Sequence, residues 1–574
     1  METVTKIIQA GDGAAVLTAL QQFTEENKTN FQLGESTDIR KSFCSAVLRL
    51  LQEEGIWSPR ILSLALNALR VFAREHQGVE GLISRDGLLV IAQLAGLSTH
   101  GSEEDIPADR LEVIVEATKV LCNIVLNHRY LAPLTADIGC LTGLSSRLSL
   151  AATLQPPHDL LFFDLRLLFL ITACGPAERV AFRDCCNGIP ILVNLVDATL
   201  FGPSPKEGMV SVQATPICED EPKPKVSPCN LTREGVACLT TPISVRQCSV
   251  LCEALKILFN QTLNWKDEYD EDELCLWRRL SQLVRILLIS LPPHRDKTTT
   301  DTISHCAELL VNTPEQCAVS FLFPGDVQVM PTLRPLYPDL YDCDGLYASN
   351  LDCVCDDWNM CAVLSLINYL HWQLGCDSER SRLSPALTAL RVLAKGHRSI
   401  RRYLRSIILP TLKEITQRPD EGNSLKSMIV CLMTAGSMGA EEVTADLLFV
   451  LCKENVSRLV KHTGFGNAAG LLMSRGLLGG GRCEGEEQYS SDSESSDTEE
   501  YQRSRDKLDP VTAGPGDIED SPSPLDHMTE EEKEIEAEKL AELFDKLNRH
   551  GVIKVMPVGK DGKPVLDQDK SEED

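Results

Sequence analysis

Aromatic residues make up only 5% of this chain, and Trp occurs five times in 574 positions. Stacked β-sheets draw their cores from aromatic and β-branched pairs, so this scarcity counts against an all-β fold and favours leucine-rich packed helices. Bases are also in deficit, with 56 Lys and Arg against 83 Asp and Glu and a formal charge of −27. A nucleic-acid binder needs a contiguous basic surface, and the balance argues against that class of partner. No apolar run reaches the roughly eighteen residues that cross a bilayer. The opening METVTKIIQAGDG lacks the basic-then-apolar order of a secretion signal, so the expected setting is the cytoplasm. Catalytic and metal signatures are missing too: there is no HExxH and no Ser-His-Asp or Cys-His set in a shared context. Neither an enzyme nor a cofactor is expected.

Cysteine is plentiful, at 22, but scattered. Cys122, Cys252 and Cys452 lie inside leucine-rich helical patterns, where a reduced thiol behaves as a small apolar residue. Cys343, Cys353, Cys355 and Cys361 are the densest group, and their spacing is not that of a zinc site.

What the chain does contain is a recurring phrase. Ala68-Leu-Arg-Val-Phe returns at Ala117, Asp164, Ala254, Cys306, Ala389 and Ala445, at intervals of 49, 47, 90, 52, 83 and 56 residues. The short intervals are near the armadillo and HEAT period, and the two long ones each contain an insertion. The fold class is therefore all-α, an armadillo/HEAT-type solenoid over residues 1–482, with disordered insertions near 201–245 and 323–357. The fourth and fifth positions of the phrase are apolar in every copy, from Val71 and Phe72 to Leu448 and Phe449, and should face the shared core.

The third and seventh positions stack four residues apart on one helix face. They supply Arg70, Arg74, Lys119, Asn123, Arg166, Lys256, Asn260, Asn312, Arg391 and Lys395, with Glu308 a departure and Leu447 with Leu451 a break. Side by side, these positions predict a ladder of cations and amides along one surface, suited to an acidic peptide or helix.

Beyond Arg482 the composition changes. Residues 483–527 form an acidic linker, and from Cys483 to the end about 28 acids face 11 bases. Ser490, Ser491 and Ser496 sit among acids in the pattern an acidophilic kinase reads, so they are the expected phosphorylation sites. Residues 528–551 read as one amphipathic helix, opened by Thr529 with Glu532 and carrying the stripe Leu540, Leu543, Phe544 and Leu547. Such a stripe on a tether is expected to bind a partner, and 552–574 is expected to be a disordered tail. Gly464-Phe-Gly466-Asn-Ala-Ala-Gly470 follows a helix rather than a strand and has no Walker lysine, so it predicts a tight interhelical turn and not a phosphate loop.

Three stretches together resemble the synembryn family: Phe163-Asp-Leu-Arg-Leu-Leu-Phe-Leu170, His462-Thr-Gly-Phe-Gly-Asn-Ala-Ala-Gly-Leu-Leu472 with Gly479-Gly-Gly-Arg482, and Met528-Thr-Glu-Glu-Glu-Lys through Phe544-Asp-Lys-Leu547. The resemblance implies a guanine nucleotide exchange factor and folding chaperone for heterotrimeric G-protein α subunits, met in GDP-bound, nucleotide-free or nascent form. It further implies that the groove takes the α subunit's C-terminal helix, that the synembryn C-terminal helix contacts the Ras-like domain, and that the phosphosites follow Gln488-Tyr489. A monomer recruited to the cell cortex or plasma membrane is the matching expectation. The alternative is an armadillo-type adaptor for an acidic peptide, without exchange activity.

Overall fold

The computed structural model describes residues 1–28, 34–97, 108–202, 243–291, 296–324, 354–376, 382–412, 417–435 and 439–477, less positions 54, 76, 264, 266 and 267. It also describes Tyr501, residues 508–515 without 510, and part of 529–541. The chain begins with α1 (Glu2–Ala10), α2 (Gly13–Glu26), α3 (Thr37–Gln52), α4 (Pro59–Phe72), α5 (Arg85–Leu94) and α6 (Ala108–Asn127). The short α7 (Ala132–Thr135) leads through a kink at Gly139 into α8 (Leu141–Leu154), followed by α9 (His158–Cys174), α10 (Pro176–Cys185) and α11 (Gly188–Phe201). After the first insertion come α12 (Val245–Thr262), α13 (Glu271–Ser290) and α14 (Lys297–Val311). After the second come α15 (Cys361–Leu374), α16 (Leu383–Gly396), α17 (Arg398–Ile408), α18 (Leu425–Leu432), α19 (Ala440–Leu451), α20 (Val456–Thr463) and α21 (Phe465–Ser474).

The seven copies of the phrase fall on α4, α6, α9, α12, α14, α16 and α19, and each of these helices packs against the next, with α2 extending the row at its start. The fourth and fifth positions are buried in every copy. Their apolar atoms leave water against the preceding and following rung as well as the outer helices, at roughly 25 cal/mol per Å² removed. No rung can bury its face alone, which is why the rows must stack. α12 restarts the array after the first insertion with a full capping box, the Ser244 hydroxyl accepting from the Gln247 N–H while the Gln247 side chain accepts from the Ser244 N–H. α13 repeats the device with Asp270 and Glu273. Each box satisfies two of the four orphan donors at a helix start.

Two expectations change at the insertions and the tail. The second insertion was read as disordered from 323 to 357, but its ends are paired: β1 (Phe323–Pro324), β2 (Val354–Cys355) and β3 (Trp358–Asn359) form an antiparallel sheet in the order β1-β3-β2. Arg285 of α13 ties this sheet to the core, its guanidinium donating to the Ser320 and Leu322 carbonyls and lying 4.9 Å from the Phe323 ring centroid. Burial and the nearby Arg279 pull its pKa down to about 9. Residues 203–242 and 325–353, and with them Cys343 and Cys353, lie outside the described residues.

The acidic linker is not wholly separate from the solenoid either. Leu508 and Pro515 close a turn whose Val511 carbonyl accepts from the Gly466 N–H at 2.8 Å, and the Tyr501 ring lies 4.4 Å from Lys461 Nζ. In the third part of the tail, residues 533–535, 537–539 and 541 are helical, whereas Leu540, Leu543, Phe544 and Leu547 lie outside the described residues, as do Ser490, Ser491 and Ser496.

Candidate functional site

The rungs place their third and seventh positions along one face. Helical spacing puts them roughly opposite the buried fourth and fifth positions, so the polar face follows directly from the core pattern. Carboxylates that no ladder position predicted organise its cations. Glu116 of α6 lies 2.8 Å from Lys119 Nζ on its own helix and 3.5 Å from Arg70 Nε on α4. Glu253 of α12 repeats the arrangement with Lys256 on its own helix and Arg166 of α9, 3.3 Å away. Each acid thus brackets two cations from adjacent rungs and leaves a surplus of one positive charge. Aromatic rings lie beside the same cations: Lys119 Nζ lies 4.8 Å from the Phe163 centroid, and Lys256 Nζ lies 4.9 Å from that of Phe169, which Arg166 also approaches. Carboxylate and ring together hold long side chains that would otherwise lose entropy on binding.

The asparagines behave differently from a row of free amides. Asn123 Nδ2 donates to the Arg70 carbonyl at 3.1 Å, and Asn312 Nδ2 to the Phe259 carbonyl and the Thr262 hydroxyl. These donors staple one rung to the next instead of pointing at solvent. Asn260 Nδ2, by contrast, is buried without an acceptor among the described residues. At α14 the polarity inverts, since His305 occupies the place of Glu116 and Glu253, and Glu308 that of the lysines, with a 2.8 Å contact between them. Lys395 of α16 pairs with Glu315 at 2.9 Å, and Arg391 and Arg74 are half-buried. Glu-x-x-Lys at 116–119 and 253–256 is an i, i+3 pair, a signal legible in the sequence that would have found the acids.

The resembling stretch at 163–170 has a structural member of its own. Asp164, almost fully buried on α9, accepts two bonds from Arg147 of α8 at 2.7 and 2.5 Å, and Arg147 also donates to the Ala95 carbonyl. Burial pushes the Asp164 carboxyl up against the opposing pull of Arg147. The glycine turn likewise has a mechanical purpose. Gly464 has φ +82°, and a Cβ there would meet the Thr512 backbone at 2.8 Å. What lies against the turn is the returning chain.

One arrangement that the sequence did not reveal is a hydrogen-bonded row, Asp159 to His158 Nδ1 at 2.9 Å and His158 Nε2 to Ser249 Oγ at 2.8 Å. It sits at a cleft of roughly 300 Å³ bordered by Gln155, Thr199, Arg246 and Gln247. The Ser249 hydroxyl donates to the Arg246 carbonyl at 2.8 Å, so its hydrogen is committed to the backbone. Asp159 is 70% exposed, and although its hydrogen bond to His158 lowers its own pKa, so solvated a carboxylate holds the imidazole weakly. The row joins the starts of α9 and α12 and has the chemistry of a staple, not of an activated nucleophile. The thiols follow the same bland chemistry: burial pushes Cys252 and Cys452 up to about 12, leaving them protonated. Among the described residues no three metal-ligating side chains converge.

Comparison with known proteins places the sequence in a lineage. Chaperone Ric-8A of Gallus gallus is 35% identical over 567 residues, 98% of this chain and 95% of that protein. Chaperone Ric-8A of Danio rerio is 34% identical over 573 residues, covering 98% and 94%. Among solved structures, a SYS-1/POP-1 complex aligns with 83% of this chain and 68% of its own at 11% identity and a TM-score of 0.41. A sequence model described as guanine nucleotide exchange factor synembryn matches residues 65–563, spanning all seven copies of the phrase, the glycine turn and residues 528–551. By that match and by identity above 30% along nearly its whole length, the chain belongs to the synembryn family.

Proposed function

We propose that this protein promotes nucleotide release from heterotrimeric G-protein α subunits and assists their folding, taking the C-terminal helix of the α subunit on the ladder face and stabilising its nucleotide-free state. The observation that carries the reading is the full-length match to chaperones of the synembryn family. The bracketed cations add to it: Arg70, Lys119, Arg166 and Lys256 offer a surplus of positive charge to a helix ending in a carboxylate. No covalent chemistry is involved. If the face binds the nucleotide-free subunit more tightly than the loaded one, nucleotide binding weakens the complex by the same factor. Drawing the guest helix out loosens the nucleotide pocket, GDP leaves, and GTP later expels the solenoid. A preference for an incompletely closed subunit is also what a folding chaperone needs.

Phosphorylation of Ser490, Ser491 or Ser496 by an acidophilic kinase belongs to the same reading. Arg398, Arg401, Arg405 and Arg458 crowd Lys453, which burial and these neighbours pull down to about 8, and Lys426 is drawn to about 8 chiefly by burial. Tyr501 on Lys461 brings the chain just after the serines to this quarter of the molecule, where each added phosphate would bring about −1.5 to −2 charges. Cytoplasmic residence, recruitment to the cell cortex through the α subunit, and a monomeric state complete the proposal.

The test is uptake of a GTP analogue by purified α subunits in the presence of catalytic amounts of this protein. Acceleration is expected, and complex formation should fall as the analogue is raised. A chain that captures acidic peptides yet accelerates no α class would instead be an adaptor.

A further inference from the structure

The glycine turn and the tail meet in a way that neither the ladder nor the family match explains. Residues 508–515 fold into a compact turn in which Asp509 Oδ1 accepts from the Val511 N–H at 2.7 Å, the Ala513 N–H donates to the Asp509 carbonyl, and the Asp509 N–H donates to the Gly514 carbonyl at 3.0 Å. The turn lies on the start of α21. The Gly466 N–H, one of the donors that a helix start leaves without an intrahelical acceptor, is satisfied by the Val511 carbonyl. Gly464 admits the Thr512 backbone where any Cβ would collide, and Gly514 leaves room for the Arg418 side chain, whose Cγ a Cβ would meet at 2.8 Å. Ala513 is buried, and seven residues before the turn Tyr501 is buried against Lys461. Turn and cradle fit backbone to backbone.

We infer that the Gly464–Gly466 cradle is a docking site for the chain's own 508–515 turn, and that this dock is the point from which the C-terminal helix is tethered. The consequence is geometric. With Tyr501 already held against Lys461, the chain from there to Thr529 has twenty-eight residues, a maximum reach of about 100 Å. From Pro515 there are fourteen, a maximum of about 50 Å. Effective concentration falls roughly as the −3/2 power of tether length, so docking raises that of the helix about threefold for a partner already held on the ladder. Ile535, near the start of that helix, is 52% exposed. This step rests on the proposed function and on the expectation that the 528–551 helix makes a second contact with the same partner, the two-contact reading.

The experiment uses the full-length chain and two variants: residues 508–515 replaced by eight Gly and Ser residues, and Asp509→Ala, which removes the carboxylate that shapes the turn without touching the solenoid. Hydrogen exchange at the 464–467 amides reports the dock, and affinities for a whole α subunit and for its C-terminal peptide report the tether. Protection in the natural chain, lost in the octet variant, with whole-subunit affinity down about two- to fourfold and peptide affinity unchanged, is the expected result; Asp509→Ala should move both readouts the same way by less. An unprotected Gly466 amide in the natural chain overturns the dock. Unchanged whole-subunit affinity in the octet variant, while truncation after Pro524 still weakens it, overturns the tether and leaves the proposed function standing. If that truncation has no effect either, the two-contact reading itself fails.

Discussion

Two side chains show how burial decides consequence residue by residue. Asp164 and Arg147 form a two-bonded pair taken out of water, and removing one member strands the other. Asp164→Asn is expected to destabilise by about 3–5 kcal/mol, read as a lowered denaturant midpoint, whereas breaking an exposed pair such as Lys6 with Glu2 should leave the midpoint nearly unchanged. His462 is the second case. Burial foremost, then Lys426, Arg405 and Lys461, pull its pKa down to about 3, against about 6.5 in the unfolded chain. Between those values the unfolded state binds the extra proton, so stability from this group is complete above pH 6.5 and is lost as pH falls toward 3. The slope is about 1.4 kcal/mol per pH unit. Thermal unfolding from pH 7 to 5 should show a steeper decline in the natural chain than in His462→Gln; parallel curves would mean that His462 is not the group responsible.

Between neighbouring helices, the asparagine staples divide structure from recognition. Asn123 and Asn312 were expected as part of the guest face, and their donors are instead bonded to the rung before. Asn123→Ala should cost about 1 kcal/mol of stability and raise hydrogen exchange across α4 and α6. Peptide affinity should change far less than in Arg166→Glu. In that variant a carboxylate would sit beside Glu253, adding repulsion to the loss of a cation, and acidic-peptide affinity should drop at least about tenfold at low salt with a smaller drop at high salt. Equal losses in the two variants would show that the face binds through its amides. The lysines are legible as a period, whereas Glu116 and Glu253 fall one residue before the recurring phrase and three before its lysines.

Across the whole molecule, a net charge of −27 coexists with a face where four cations meet two carboxylates, because the acids are concentrated in the tail. Long-range steering and local recognition can therefore differ in sign. Truncation after Pro524 removes acids and helix together, so its effect on whole-subunit binding is best measured at two salt concentrations: loss of a helix contact persists at high salt, and loss of charge does not.

Sequence alone determined the helical class, the rungs and the buried positions, since a repeated apolar pair can be satisfied only by a neighbour with the same pair. It also carried the family, through motifs that are local. Tertiary structure decided which polar groups remain available. Whether Asn123 faces a guest or a carbonyl, whether Arg70 stands alone or is bracketed by Glu116, and whether Gly464 cradles a ligand or the chain's own tail depend on what lies 46 to 53 residues away along the chain. Hydrogen bonds and ion pairs act over a few ångströms in space, and no local period encodes which distant residue will arrive there.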